Sequence, residues 1–304
     1  MDYVLQTNAL SKSYKDFKAL SGLSMNVPKG AIYGFVGKNG AGKTTLIRLI
    51  CGLQEATSGE YMLYGRKNTE PEIVKSRRRM GAVVETPSIY LNMTAEDNLK
   101  QQYRILGLPS FDGLWDILEL VGLNTTGKKK AKNFSLGMRQ RLGIAMALAG
   151  DPDFLVLDEP ANGLDPQGII EIRELILKLN RERQVTVLIS SHILDELSKL
   201  ATHYGFIDNG HLVKELSAKD LEDACKKCVR IEVSDTKILA RVLDEMKIEY
   251  KILSDTQADI FAKIKISQLA AALGKENCEF ISMQERDESL ESYYMNLVGG
   301  GKNA

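Results

Sequence analysis

Residues Gly37-Lys38-Asn39-Gly40-Ala41-Gly42-Lys43-Thr44, with Thr45 directly after them, have the spacing G-x-x-x-x-G-K-[ST]. Glycines at such positions let backbone N–H groups close around phosphate oxygens, and a helix starting at the end of the motif adds positive potential. Lys43 is then placed to reach the β- and γ-phosphates, and Thr44 to ligate Mg²⁺. A second cluster, Phe154-Leu155-Val156-Leu157-Asp158-Glu159, ends an apolar run on two carboxylates. A carboxylate leaving such a strand emerges beside the phosphates, so Asp158 is expected to hold the metal and Glu159 to accept a proton from an attacking water. The pair of motifs predicts a nucleotide hydrolase. An Asn-Lys-x-Asp guanine motif does not occur in the sequence, which sets a GTPase aside.

The elements around these residues must present them on one surface. Apolar runs predict strands at 3–6, 23–27 and 31–36, with Pro28-Lys29-Gly30 as a turn between the last two, and a helix from Lys43. Thr94-Ala95-Glu96-Asp97 has the spacing of a capping box opening a helix to about Ile105, and 111–120 is predicted as another helix. The stretch 86–150 lacks strand alternation and is expected to be a helical insert. A strand at 154–157, a helix at 167–179 and a strand at 185–190 restore the alternation of a mostly parallel α/β sheet. Beyond Ser217, which forms another capping-box spacing with Asp220, the character changes. Val229, Ile231 and Val233 alternate with Arg230 and Glu232, and Ile260, Ala262, Ile264 and Ile266 alternate with Phe261, Lys263 and Lys265. With helices at 237–246 and 267–273 and strands near 250–253 and 280–283, the order is β-α-β-β-α-β, that of a ferredoxin-like unit. A last helix carries Leu290, Tyr293, Tyr294 and Leu297 on one face. The division predicted is a nucleotide-binding domain over 1–220 and a smaller α+β domain over 226–304.

Composition bounds the reading. A chain of 304 residues predicts roughly two domains. Forty basic side chains cancel 40 acidic ones, which disfavours wholesale binding of nucleic acid or anionic lipid. Four cysteines are too few for a disulfide scaffold. No export signal is expected at the amino terminus, and no apolar run approaches membrane-spanning length.

The phosphate loop, Ser135-Leu136-Gly137-Met138, Asp158-Glu159-Pro160, Gly163-Leu164-Asp165 and His192 follow one another in the order of ABC transporter ATPases, a family that residues 1–220 resemble. The resemblance implies a P-loop ATPase core and ATP with Mg²⁺. It also implies two chains sandwiching two nucleotides head to tail, most simply as a homodimer, on the cytoplasmic face of a separate membrane permease. Phe134-Ser135-Leu136-Gly137-Met138 departs from the family's Leu-Ser-Gly-Gly-Gln signature at three positions but keeps Ser135 and Gly137. By carry-over those two contact the partner's ATP, His192 the γ-phosphate, Asp165 the dimer seam, and Tyr14 stacks on adenine. Glu85 stands where most relatives have glutamine, and as a charged acceptor it is expected to approach Mg²⁺ and the catalytic water more strongly. Glu85-Thr86-Pro87, the variant signature and Ser289-Leu290-Glu291 look like the subgroup of bacitracin-resistance and lantibiotic-immunity exporters. Antimicrobial peptide export is therefore the expected role. The alternatives are a soluble ABC ATPase acting on ribosomes or DNA, and a switch that hydrolyses little. The interval from Lys43 to Ser135 leaves no room for a DNA-repair coiled coil, and Glu159 speaks against a mere switch.

Other features have bland explanations. Cys225 and Cys228 have the spacing of half a metal site, but only Cys51 and Cys278 remain as further thiols. His203 and His211 have no ligand pattern around them. Arg77-Arg78-Arg79 and Lys128-Lys129-Lys130 are charge runs of the kind found on solvated faces or facing a permease. Trp115 is expected to pack in the core of the insert.

Overall fold

The computed structural model describes residues 2–224, 227–261 and 264–287, together with 293, 294 and 297. Two compact units divide the chain, Met1–Ala218 and Lys219–Ala304.

The first unit opens with β1 (Tyr3–Tyr14), β2 (Phe17–Leu23), β3 (Asn26–Pro28) and β4 (Ile32–Val36), followed by helix α1 (Lys43–Ile50). Then come β5 (Ser58–Leu63), β6 (Arg66–Lys67), α2 (Ile73–Arg77) and β7 (Met80–Val83). The insert holds α3 (Ala95–Ile105), α4 (Leu114–Leu120) and α5 (Leu136–Leu148). The unit closes with β8 (Phe154–Asp158), α6 (Pro166–Arg183), β9 (Thr186–Ser191), α7 (Leu194–Ser198), β10 (His203–Asp208) and β11 (His211–Ser217).

One sheet has the order β11-β10-β4-β9-β8-β7, parallel from β10 to β7 with β11 antiparallel at the edge. Every residue of β4, β8 and β9 is buried. That is the environment of a parallel strand covered on both faces, and it explains the nearly unbroken apolar runs. A second, antiparallel sheet, β2-β1-β5-β6 with β3 beside β1, packs its apolar residues into the same core as α1: Leu5, Leu10, Leu23, Met25 and Leu63 join Leu46, Ile47 and Phe154.

Strand β1 runs eight residues past its predicted end at Gln6. Thr7 looks polar in sequence, yet its hydroxyl donates to the Leu23 carbonyl (2.9 Å) and accepts from the Met25 amide (2.9 Å), so it is buried without an unpaired group. The same bridge marks where the strand predicted over 23–27 breaks into β2 and β3. Helix α3 begins as its capping box predicts, with Thr94 Oγ1 accepting from the Asp97 amide at 3.1 Å. Trp115 is a correction. Helix α4 buries Leu114, Ile117 and Leu118, a stripe spaced i, i+3, i+4, and Trp115 falls one step off it, 55 % exposed.

After α8 (Ala218–Ala224), the second unit runs β12 (Lys227–Val233), α9 (Thr236–Glu245), β13 (Tyr250–Ile252), β14 (Gln257–Ile260), α10 (Ile266–Lys275) and β15 (Phe280–Asp287). Its antiparallel sheet has the order β13-β14-β12-β15, the ferredoxin-like arrangement. Ile231, Val233, Leu239, Leu243, Ile260, Leu269 and Leu273 form its core. The alternating run from Ile260 does not continue as strand: β14 ends at Ile260, and Ile266 opens α10. Cys225, Ala262 and the segment 288–292, with Leu290, lie outside the described residues, so the Cys225/Cys228 pair and the terminal helix's full face are not described.

Candidate functional site

Strands β4, β9, β8 and β7 end together at the carboxyl edge of the parallel sheet, where α/β proteins bind ligands. Gly37 follows β4, His192 follows β9, and Glu159 follows β8. Gly42 has φ +112° and sits so close to the Ala19 carbonyl that a Cβ would come within 2.6 Å of its oxygen. Only glycine fits the turn that starts α1.

Lys43 is buried and its Nζ donates to the carbonyls of Gly37 (2.6 Å) and Lys38 (3.1 Å). The same ammonium lies 3.1 Å from Glu159 Oε1. His192 Nδ1 meets Glu159 Oε2 at 2.7 Å. The Glu159 amide is tied to Ser190 through its Oγ (3.0 Å) and carbonyl (3.2 Å), and its backbone is left-handed at φ +48°. Ser190 Oγ donates to Asp158 Oδ1 at 2.6 Å, while Asp158 Oδ2 is buried with no hydrogen-bond partner. A pocket above this array is lined by Asn39, Gly40, Gly42, Lys43, Thr44, Thr45 and Glu159. Ala41 faces the core instead, its carbonyl accepting from the Gly210 amide at 2.9 Å. Behind Glu159 lies an apolar cavity bordered by Ile172, Ile189 and Leu197, where burial, with Glu159 nearby, pushes the Glu196 carboxyl up.

Other predicted residues stand apart from this pocket. Ser135 caps α5, its Oγ accepting from the Met138 amide at 3.2 Å, which leaves its O–H free to donate. Gly137 follows in the first turn. Asp165 caps α6 through the Gly168 amide at 3.0 Å. Glu85, expected at the metal, is not brought to the phosphate pocket: it lines a separate groove between the loop after β7 and α5, and its carboxylate pairs with Arg48 at 2.5 Å. Tyr14 is also absent from the pocket lining; its hydroxyl bonds Gln54 and Lys12 lies over its ring.

A family model described as ABC transporter matches residues 20–162. The chain is 40 % identical over 99 % of its length, and 99 % of the relative's, to the bacitracin transport ATP-binding protein BcrA of Bacillus licheniformis. The chain belongs to the ABC transporter family. The lantibiotic transport ATP-binding protein SrtF of Streptococcus pyogenes is 42 % identical over 70 % of this chain and 90 % of its own. In fold, the subunit superimposes with a TM-score of 0.64 on the ATP-binding cassette MJ0796, solved as a dimer bound to ADP and Pi, at 24 % identity over 70 % of this chain and 98 % of that one. This ABC subunit is an ATP-binding ATPase, and among its described residues no helix is long and apolar enough to cross a membrane.

Two residues at the candidate phosphate pocket belong to no sequence motif. Phe17 is 61 % exposed at the edge of that pocket, opposite Tyr14 in the β1–β2 hairpin, and is its aromatic lining residue. Ser190 aligns both acidic residues at once. Its signal was present as the polar pair Ser190-Ser191 closing an apolar run just before His192.

Proposed function

We propose that this chain is the ATP-hydrolysing motor of an antimicrobial peptide exporter, with residues 1–220 as the motor domain and 226–304 as an accessory domain. The observation that carries the hydrolytic reading is Glu159, poised between Lys43 and His192 beside the phosphate loop. When triphosphate enters, the Lys43 ammonium exchanges Glu159 Oε1 for phosphate oxygens. The freed carboxylate, still aligned by His192 and by the Ser190 hydrogen bonds, is the acceptor for the water proton.

Mg²⁺ fits the residues present. Asp158 Oδ2 is a buried oxygen without a partner, Thr44 adds a hydroxyl at the pocket, and both are hard oxygen donors. Bound there, the ion would neutralise charge on the phosphates.

Ser135 and Gly137 sit at a helix start away from this chain's own phosphate pocket, which supports a composite site completed by a second copy. Leu136, between them, is half exposed, as a seam residue would be. The groove lined by Arg78, Leu53, Leu106 and Met146 offers basic and apolar surface for a permease segment. The peptide cargo rests on the full-length similarity to BcrA and on SrtF.

Purification of the full chain from its native membrane, followed by ATPase assay with bacitracin or a lantibiotic, tests this. Recovery of a polytopic membrane protein with peptide-stimulated hydrolysis supports the reading. Recovery of ribosomes or DNA-processing proteins, with hydrolysis indifferent to peptide, overturns it.

A further inference from the structure

The run Lys128-Lys129-Lys130, with Lys132 beyond it, takes no part in the nucleotide chemistry, and the fold leaves all four side chains exposed. A 3-10 turn over Ala131–Asn133 sets Ala131 and Phe134 three residues apart; both are buried, which keeps the lysines on the outside. The segment is not a loose loop. The Ala131 amide donates to the Met93 carbonyl (2.8 Å), the Lys132 amide donates to the Leu91 carbonyl (2.8 Å), and Lys130 pairs antiparallel with Thr94. The segment it pairs with is held in turn by the wholly buried Asn98, which accepts from the Tyr90 amide at 2.7 Å and donates to the Tyr90 carbonyl at 3.0 Å. This short ladder sets Tyr90 and Leu91, 44 % and 46 % exposed, beside the lysines. The first turn of α5 is tied in as well, Arg139 donating to the Lys132 carbonyl at 2.8 Å. The acids that open α3 are engaged nearby, Glu96 with Lys100 at 2.6 Å and Asp97 with the Thr94 hydroxyl at 2.8 Å. Among the described residues no ion pair joins the four lysines to a carboxylate, and Lys129 lies instead over the Phe134 ring.

We propose that this ladder is a membrane-contact patch, in which Lys128, Lys129, Lys130 and Lys132 meet the headgroups of an anionic lipid surface while Tyr90 and Leu91 enter its interface. Charge complementarity selects this occupant. Four ammonium groups within five residues, none paired with an acid, are drawn to a surface of fixed negative charge. A tyrosine and a leucine beside them suit a boundary that is apolar on one side and wet on the other. Nucleic acid is the poorer fit, because the chain as a whole carries no net positive charge with which to track a phosphate backbone. The patch lies just before the Ser135 cap of α5, so lipid contact holds the start of that helix close to the bilayer without any protein intermediary.

The test is co-sedimentation of the full chain with vesicles of phosphatidylcholine, alone or with about one third phosphatidylglycerol. At ~0.1 M salt the parent should bind the anionic vesicles and not the neutral ones, and about 1 M salt should abolish the difference. A lysine near an anionic surface is worth roughly 5-fold in partitioning, so Lys128→Gln, Lys129→Gln and Lys130→Gln together should weaken binding by on the order of 10²-fold. The same three positions changed to arginine should bind like the parent, because the charge is kept. Tyr90→Ser with Leu91→Ser should weaken binding by ~3- to 10-fold through lost apolar contact. Unchanged melting and ATP affinity certify the fold of each variant. Lys128→Gln with Lys130→Gln, which spares the contact of Lys129 with Phe134, replaces the triple variant should that one fail to fold. The patch is overturned if the parent binds no vesicles, binds neutral and anionic ones equally, or if the triple glutamine variant binds like the parent. Loss of a co-purified permease by that variant in lipid-free detergent, with vesicle binding intact, assigns the lysines to a protein contact and overturns the patch as well.

Discussion

Replacing Glu159 by Gln should make the subunit less stable when empty and tighter for ATP when loaded. At 3.1 Å, with an effective dielectric near 20, the attraction between Lys43 and Glu159 is about 5 kcal/mol before desolvation is counted. Both groups are largely buried, so most of that is offset by the loss of hydration, and Lys43 keeps its two carbonyl bonds. A net loss of about 1–2 kcal/mol remains, which lowers the melting temperature of the Met1–Ala218 unit by ~2–8 °C. Once ATP is present, Lys43 no longer has to leave a carboxylate to meet phosphate, and the same energy reappears as ~5- to 30-fold tighter binding. Turnover should fall by on the order of 10²- to 10⁴-fold with the proton acceptor gone. Thermal melts with and without MgATP, a fluorescent-ATP titration and a phosphate-release assay read the three effects separately. Wild-type turnover in the variant would refute the assignment of the base. Slow turnover with unchanged melting and affinity would refute the Lys43–Glu159 exchange and leave the base standing.

Phe17→Ala should weaken ATP by ~2- to 10-fold and leave inorganic triphosphate unaffected, if the exposed ring stacks on the base; equal losses for both ligands in a competition titration would rule stacking out. Burial pushes the Cys51 thiol up to about 12, which favours the neutral thiol over the thiolate, so native protein at pH 8.5 should alkylate far more slowly than unfolded protein, with mass spectrometry as the readout. Trp115, the single tryptophan, should report a solvated environment through efficient acrylamide quenching, and Trp115→Ser should change stability by less than about 0.5 kcal/mol in a urea titration.

The phosphate loop and the acid pair could be found from sequence because their chemistry fixes residue type, spacing and neighbouring elements together. Helix α3 was equally readable, since Thr94 to Asp97 carries its own start signal. What escaped has a common physical cause: it depends on partners distant in sequence. Thr7 prolongs β1 only because Leu23 and Met25 satisfy its hydroxyl. Strand β7 is a four-residue Met-Gly-Ala-Val segment that means little without β8 beside it. Trp115 has the apolarity of a core residue, and only the helical phase relative to Leu114, Ile117 and Leu118 shows it facing out. Glu85 could be placed on its loop by motif, but its present partner, Arg48, belongs to a helix whose sequence pattern carries no mark of the contact.

The central position of β4 bears on how the chain is made. Its neighbours are Thr186–Ser191 on one side and His203–Asp208 on the other, so the strand that launches the phosphate loop is synthesised long before either flank. A nascent chain therefore carries a finished nucleotide motif on an unpaired, largely apolar strand until residue 191 has cleared the ribosome, and on a half-paired one until residue 208 has followed. Over that interval ATP has no formed pocket to stabilise, and β4 is exposed to mispairing with other chains. The segment 227–287 needs only its own local strand pairs and can fold behind it. Premature termination anywhere before β10 should consequently yield an aggregating fragment in place of a weak ATPase.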